Sequence, residues 1–400
     1  MPARTKDPFR GFCFPDYHGG SLVNLLASVI RSRGGRSPHA DLRGLPARSL
    51  AGARKVVYLV VDGLGEGQLR RFLGSGRGRV FLAAQPRRTI TTVFPATTAA
   101  AVTTFGTGAS PAEHGVLGWF LHLPDLGLVS TILPATTRTG TPIARDEFDL
   151  DRYLDLPSHL DTVKGRKELL SWGHIPTSRY SRTGSRWSGR RAFTTLDGMV
   201  RQVAAFARAP GRGLAYAYWP GYDALCHEHG CDHPKTRRHL GEIDRALARL
   251  VRELETTGAA LVVTADHGLV DTPRRRRVDL RSVPGFYDCL AILPSGDARQ
   301  VQCFVRPSKV RKFRRIVLQR LGKACVCVPG ETLLASGALG PGRCHPALES
   351  RVGDFMLLAK KDYAFAAPPA GAKAEFNLAN HGGMSRAEMV VPLYVVAADA

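Results

Sequence analysis

No apolar run in this 400-residue chain approaches the roughly 18–20 residues that a membrane helix requires, so no membrane span is expected. The stretch from Met1 to Arg10 carries charge but no apolar core behind it, a poor secretory signal. The expected location is the cytoplasm. C-x-x-C pairs are absent; among the eight cysteines only Cys325 and Cys327 stand close, as C-x-C. That excludes a zinc ribbon or a thioredoxin-like motif, and mostly reduced thiols are expected. Acidic residues are scarce, 34 against 56 lysines and arginines, for a net charge of +22. Such a field attracts anions. The basic residues are nevertheless dispersed, with one dense run at Arg274 to Arg277, and zinc-finger spacing, RNP-like aromatics and a basic zipper are all missing. An anionic, phosphorylated small-molecule substrate is therefore favoured over nucleic acid. Oligomeric state is not legible.

Several short, continuous apolar runs are present. Val56–Val61 ends at Asp62-Gly63, Gly213–Trp219 leads to Asp223, and Ala259–Thr264 leads to Asp266-His267-Gly268. Each reads as a buried parallel strand. Between the last two, Leu240, Ile243, Leu247, Leu250, Val251 and Leu254 recur at helical spacing, forming one buried face. Strands alternating with helices predict an α/β fold, a doubly wound, mostly parallel sheet sandwiched by helices. In such sheets ligands gather beyond the carboxyl ends of the strands, where these motifs lie.

The expected organisation is a metal-binding α/β core over residues 1–283, with a loop-rich insertion at 120–212. A smaller α+β lobe is expected at 284–375, with strands at Cys289–Leu293, Val301–Val305 and Ala324–Val328 and a helix at Phe313–Leu321. Residues 376–400 return to the core with Asn380-His381-Gly382-Gly383 and a last strand at Met389–Ala397.

Asp62, Asp223, His227, Asp266, His267 and His381 together offer three carboxylates and three imidazoles. Zinc binds such nitrogen and oxygen donors, and a catalytic zinc keeps a position open. Two metals about 4 Å apart can clamp a phosphoryl group. Asp223 and His227, four apart, share a face if helical. Cys226 and Cys231 flank His227 but read as packing or supporting residues, because other donors already fill the site. Thr98 precedes the alanine-rich stretch Ala99–Phe105, near a helix N-terminus where free N–H groups favour an anion. Metal coordination is one route to its alkoxide. Thr97 competes for that role on spacing alone.

The order and spacing of these motifs resemble the alkaline phosphatase superfamily, and within it the type I phosphodiesterase/nucleotide pyrophosphatase family, from Val56 to the C-terminus. The resemblance implies an alkaline-phosphatase-like α/β sandwich and two zinc ions, with Mn²⁺ or Fe as alternatives on the same donors. It implies that Asp62, Asp266 and His267 hold one metal, bridged by Thr98 as nucleophile, and that Asp223, His227 and His381 hold the other. Counting back from Thr107-Gly108 selects Thr98 over Thr97. The implied activity is phosphoric ester hydrolysis, most closely of a diester or pyrophosphate, through a phospho-threonine. A phosphomonoesterase and a phosphonate hydrolase are alternatives on the same core, and a non-catalytic basic nucleic-acid-binding module is an alternative of another class. One departure is evident. Where nucleotide-cleaving members carry an asparagine after the His-Gly, this chain has Val116-Leu-Gly-Trp119-Phe120, so Trp119 becomes a candidate for the substrate pocket. Arg145, Arg186 and Arg274 to Arg277 are candidate cations for a monoester.

Overall fold

The computed structural model describes residues 7–78, 80–144 and 149–396. Its centre is a seven-stranded sheet of β1 (Lys55–Val61), β2 (Arg87–Thr91), β3 (Arg166–Trp172), β4 (Gly189–Phe193), β5 (Gly213–Trp219), β6 (Ala259–Thr264) and β7 (Val390–Val396). The order across it is β2-β7-β6-β1-β5-β3-β4. β6, β1, β5, β3 and β4 run parallel, and β7 is antiparallel to both β6 and β2. Every residue of β1, β5 and β6 is buried, so these strands are covered on both faces, which is why they read as unbroken apolar runs.

The register fixes the site. Val61 lies opposite Trp219 and Val60 opposite Thr264, so β1, β5 and β6 end level at one edge. The helices flanking the sheet include α1 (Leu22–Ser32), α2 (Thr98–Thr107), α3 (Leu196–Arg208), α4 (Gly221–His229) and α5 (Pro234–Leu254). α2 seats on the central strands, where the Tyr58 hydroxyl donates to the Phe105 carbonyl at 3.0 Å. α5 starts six residues before its expected apolar face, since His233 caps it and Pro234 occupies the first turn at no hydrogen-bond cost.

A second, antiparallel sheet runs in the order Cys325–Pro329, Phe355–Ala359, Gln300–Cys303, Ser295–Asp297, Phe120–Leu123, Leu128–Thr131, Thr136–Thr137. Its strands alternate between two cores. Met356 and Leu358 pack with Phe94, Ala99 and Leu117, next to the segment that carries Thr98. Phe355 and Leu357 pack with Phe286, Phe313 and Val317 on the other side.

Residues 120–212, expected as loops and short helices, instead supply three strands of this second sheet, β3 and β4 of the central sheet, and α3. Their strands are short or carry charge, which hides the apolar signal. The strand expected at Cys289–Leu293 is a single bridge, Leu290 to Val305, behind a 3₁₀ turn. The expected helix is present as Val310–Ile316 with a π turn to Leu321, and the last strand is β7; Ala397 lies outside the described residues. Among the described residues no helix is long and apolar enough to cross a membrane. All eight cysteines are free, and Cys226 and Cys231 lie in the main core as packing groups.

Candidate active site

The turn after β1 carries Asp62, the turn after β6 carries Asp266 and His267, and α4, directly after β5, presents Asp223 and His227 one turn apart. His381 returns on the segment after Ala379–Asn380, which pairs with Val270–Asp271 beyond β6. Thr98 is the first residue of α2, behind an extended Thr97. The structure therefore brings all seven sequence-derived positions to one edge of the sheet. Ligand atoms of Asp223, His227 and His381 lie within 4.8 Å of one another, as do those of Asp62, Asp223 and His267. The Thr98 Oγ1 is 3.0 Å from His267 Nε2.

Backbone contacts orient the donors. His267 Nδ1 lies 3.1 Å from the Gly268 carbonyl and His227 Nδ1 2.7 Å from the Ala379 carbonyl. A carbonyl only accepts, so each Nδ1 carries a proton, and each Nε2 is turned toward the neighbouring site groups. Asp266 Oδ1 accepts from Gly63 N at 3.0 Å and His267 N at 2.9 Å, while Oδ2 accepts nothing. Asp62 Oδ2 accepts from the Tyr218 hydroxyl, and its Oδ1 is left over. Asp223 Oδ1 and His381 Nδ1 are likewise buried without a hydrogen bond. Two glycines allow this closeness. A Cβ on Gly268 would lie 2.1 Å from the Ala387 carbonyl, and one on Gly382 (φ +109°) would lie 2.7 Å from Asp297 Cβ.

The electrostatics call for a cation. Burial, then repulsion from Asp266 and Asp223, pushes the Asp62 carboxyl well above its ordinary value. Burial acts the same way on Asp223, but the His227 charge and hydrogen bond outweigh it and hold Asp223 below the carboxylate range. Burial opposes protonation of His227, yet Asp223, 3.0 Å away, shifts it upward. Burial lowers His381 well below its ordinary value, helped by His267, whose ring stacks on it at 3.9 Å. Orphaned carboxylate oxygens beside imidazole nitrogens are a donor set that fits divalent metal ions.

These groups border a cavity of about 1570 Å³ that Thr98, Asp62, Asp223, His227 and His381 share with Trp119, Trp172 and Trp187. It exceeds the roughly 300–1,000 Å³ of common small-molecule pockets. Sequence reasoning missed Tyr218, whose apolar strand gave no sign of its role, and Asp297. The Asp297 Oδ2 accepts from Trp119 N at 3.2 Å, and burial pushes the group up to about 6. The described candidate cations lie away from the cavity. Arg186 is exposed, its backbone N–H bound to Asp161, and Arg274 to Arg277 do not border the cavity; Arg145 lies outside the described residues. Arg138, Arg179 and Lys373 border it instead. Arg138 is committed to the Pro294 and Ala367 carbonyls, both at 2.6 Å, with its guanidinium over Phe120.

Comparison with known proteins places this geometry. Residues 56–384 match the family model for type I phosphodiesterase / nucleotide pyrophosphatase. No curated protein sequence matches the chain. Similar solved structures include murine ectonucleotide pyrophosphatase / phosphodiesterase 5, at TM-score 0.61 and 15% identity over 85% of this chain and 87% of that one. An inactive threonine-to-alanine variant of that protein, in complex with AMP, gives the same figures. Phosphonoacetate hydrolase from Sinorhizobium meliloti 1021, in complex with phosphonoformate, aligns at TM-score 0.64 and 17% identity over 86% and 90%. At these identities the structures speak for the fold, an alkaline-phosphatase-like one, and the sequence match over 56–384 speaks for the family. The chain belongs to the type I phosphodiesterase/nucleotide pyrophosphatase family of the alkaline phosphatase superfamily, and is a metal-dependent phosphoric ester hydrolase.

Proposed function

We propose that this enzyme cleaves phosphodiesters or pyrophosphates through a covalent phospho-threonine on Thr98, with two zinc ions as the resident metals. The observation that carries the reading is the convergence of three carboxylates, three imidazoles and one threonine hydroxyl at one sheet edge, where Asp62, Thr98, Asp223, His227 and His381 border a single cavity. Asp62, Asp266 and His267 would hold one ion with Thr98, and Asp223, His227 and His381 the other. Bound there, the metals supply Lewis-acid charge that favours the threonine alkoxide and offsets charge developing on the phosphoryl oxygens. Thr98 Oγ1 attacks phosphorus, the bond to the leaving oxygen breaks, and the phosphoryl group passes to Thr98. Water then cleaves the Thr98 ester. The N-terminal N–H groups of α2, at whose first residue Thr98 stands, favour the anion at both stages.

The size of the cavity and its aromatic walls favour a substrate with a bulky group on the phosphorus, a diester over a monoester. The inactive relative altered from threonine to alanine supports Thr98 as nucleophile. The test is hydrolysis of bis-p-nitrophenyl phosphate beside p-nitrophenyl phosphate by zinc-loaded wild type and Thr98→Ala. Faster diester cleavage, lost by at least roughly 10³-fold in the variant, supports the proposal. Faster monoester cleavage makes the enzyme a phosphatase. Wild-type turnover in Thr98→Ala removes that residue from the chemistry. Cleavage of a phosphonate alone moves the substrate to a carbon–phosphorus bond.

A further inference from the structure

His39, Glu113 and His159 come from three separated stretches of chain and meet away from the active-site cavity. His39 lies beyond α1, Glu113 in the short helix Pro111–His114, and His159 at the start of a 3₁₀ turn, His159–Thr162. The His39 Nε2 is 2.8 Å from Glu113 Oε2, and His159 Nε2 is 3.4 Å from Glu113 Oε1, so one carboxylate oxygen faces each imidazole. The two rings stand edge to face, 5.5 Å between centroids, with the three donor atoms within 4.8 Å of one another.

Two features separate this cluster from an ordinary hydrogen-bonded trio. The His159 Nε2 is buried and points at a carboxylate oxygen without closing a well-formed hydrogen bond. Its 3.4 Å separation is long for an N–H···O bond but matches the roughly 3.3 Å between neighbouring ligands of a tetrahedral zinc, whose bonds are about 2.0–2.1 Å. Access is also asymmetric. The His39 and Glu113 side chains are 3% and 7% exposed, while that of His159 is 20% exposed, so His159 is the member of the cluster nearest solvent.

We infer that His39, Glu113 and His159 form a third metal site, a structural one that takes a divalent transition ion of the zinc class and is independent of the catalytic metals. Two neutral imidazoles and one carboxylate are the nitrogen and oxygen donor set that zinc accepts. The ion's effect is a clamp. Glu113 closes the capping box of its helix, with its Oε2 2.7 Å from Ser110 N, and the chain leaves that helix at Gly115 and reaches Trp119 on the cavity wall four residues later. Binding there ties residue 39 and the 159–162 turn to the base of that wall.

The test counts metal on the full chain, stripped with a chelator, reloaded with Zn²⁺ and desalted. His159→Gln and His39→Gln are each expected to hold one equivalent less than wild type, and to lose part of the rise in Tm that Zn²⁺ gives. Asp266→Asn, run beside them, reports on the catalytic site; combined with His159→Gln, its metal loss should add. Equal metal content in wild type and both histidine variants overturns the third site, whether or not the catalytic site fills. A loss in the histidine variants with full metal in Asp266→Asn upholds it while refuting the catalytic assignment. His159→Gln is the more forgiving variant because its side chain reaches solvent. If its stripped form matches stripped wild type in Tm, misfolding does not explain a missing ion.

Discussion

Arg299 and Glu388 form a bidentate ion pair with no solvent exposure on either side chain, Nε to Oε1 at 2.7 Å and Nη2 to Oε2 at 3.0 Å. Arg299 sits in the turn between two strands of the second sheet and also donates to the Tyr363 and Lys361 carbonyls. Glu388 accepts from Gly383 N at 2.7 Å, two residues beyond His381, and its carbonyl accepts from Gly268 N at 2.8 Å, next to His267. One buried pair thus ties the second sheet to both histidine-bearing turns.

Removing one partner should be costly, because it strands a charge in the interior. Arg299→Met is expected to destabilise the protein by about 3–5 kcal/mol. Arg299→Met with Glu388→Gln should cost less than the two single changes summed, since no bare charge is left. Urea unfolding of the four proteins checks it. A single-variant cost under about 1 kcal/mol would show that the pair is hydrated or replaceable.

The carboxylates at the site oppose one another when no metal is bound, which yields a prediction with two signs. Asn at position 266 keeps a carbonyl oxygen for the Gly63 and His267 N–H groups but carries no charge. The folded-state pKa of Asp62 is raised, by burial and then by Asp266 and Asp223, so in stripped protein it subtracts stability as pH rises above the ordinary value of 3.8. Stripped Asp266→Asn should therefore melt above stripped wild type at pH 7. With Zn²⁺ the order should reverse, because the variant has lost a ligand. Scanning calorimetry with and without chelator reads both, and a variant that melts lower in both states contradicts the repulsion argument.

How much of this was legible in the sequence follows from where charge lies along the strands. β1, β5 and β6 are buried on both faces and announce themselves as apolar runs, so the acidic and histidine motifs at or beyond their ends stood out. β3 does not, because it carries Lys167 and Glu168 in its interior. Glu168 is fully buried yet compensated by Arg166 and by Arg191 at 2.7 Å, and Lys167 reaches Asp161 at 2.6 Å. Paired charges erased the hydrophobic pattern, and the segment read as loop. The same limit applies to Asp297. Nothing about a short Ser-Gly-Asp stretch in a distant lobe says that it will pack against Gly382, since that depends on how two sheets dock.

Trp119 offers a test of leaving-group recognition. It borders the cavity with Trp172 and Trp187, and its backbone is held by Asp297 and by Ile132 N, which donates to its carbonyl. Trp119→Ala removes an apolar wall without disturbing those backbone contacts. The expected result is a rise of about tenfold in KM for bis-p-nitrophenyl phosphate, near 1.4 kcal/mol, with kcat within a few fold. A fall in kcat with KM unchanged would place the indole at the transition state rather than on the leaving group.

His114 makes the acid side of the stability curve predictable. Val116 N donates to its Nδ1 at 3.1 Å, so the proton sits on Nε2, 3.2 Å from Thr104 Oγ1, and the ring is neutral. Burial lowers its pKa to about 3; Glu113 opposes this, and His345 and Arg351 reinforce it. In the unfolded chain the ring titrates at its ordinary value near 6.5. Below that pH the unfolded state takes up a proton that the folded state refuses, so stability falls as pH drops from 6.5 toward 3. The slope approaches about 1.4 kcal/mol per pH unit. Glu113, held at about 2 because its histidine and backbone partners outweigh burial, adds a further loss only as pH falls below its ordinary 4.5. His114→Gln removes the first term and leaves the second. Urea midpoints of stripped wild type and stripped His114→Gln, taken between pH 7 and 4.5, should diverge by about 2–3 kcal/mol, with wild type the more acid-sensitive. Stripping both proteins keeps metal release out of the comparison. Parallel curves would mean that the folded protein accommodates the imidazolium, through rearrangement around Thr104 and Val116.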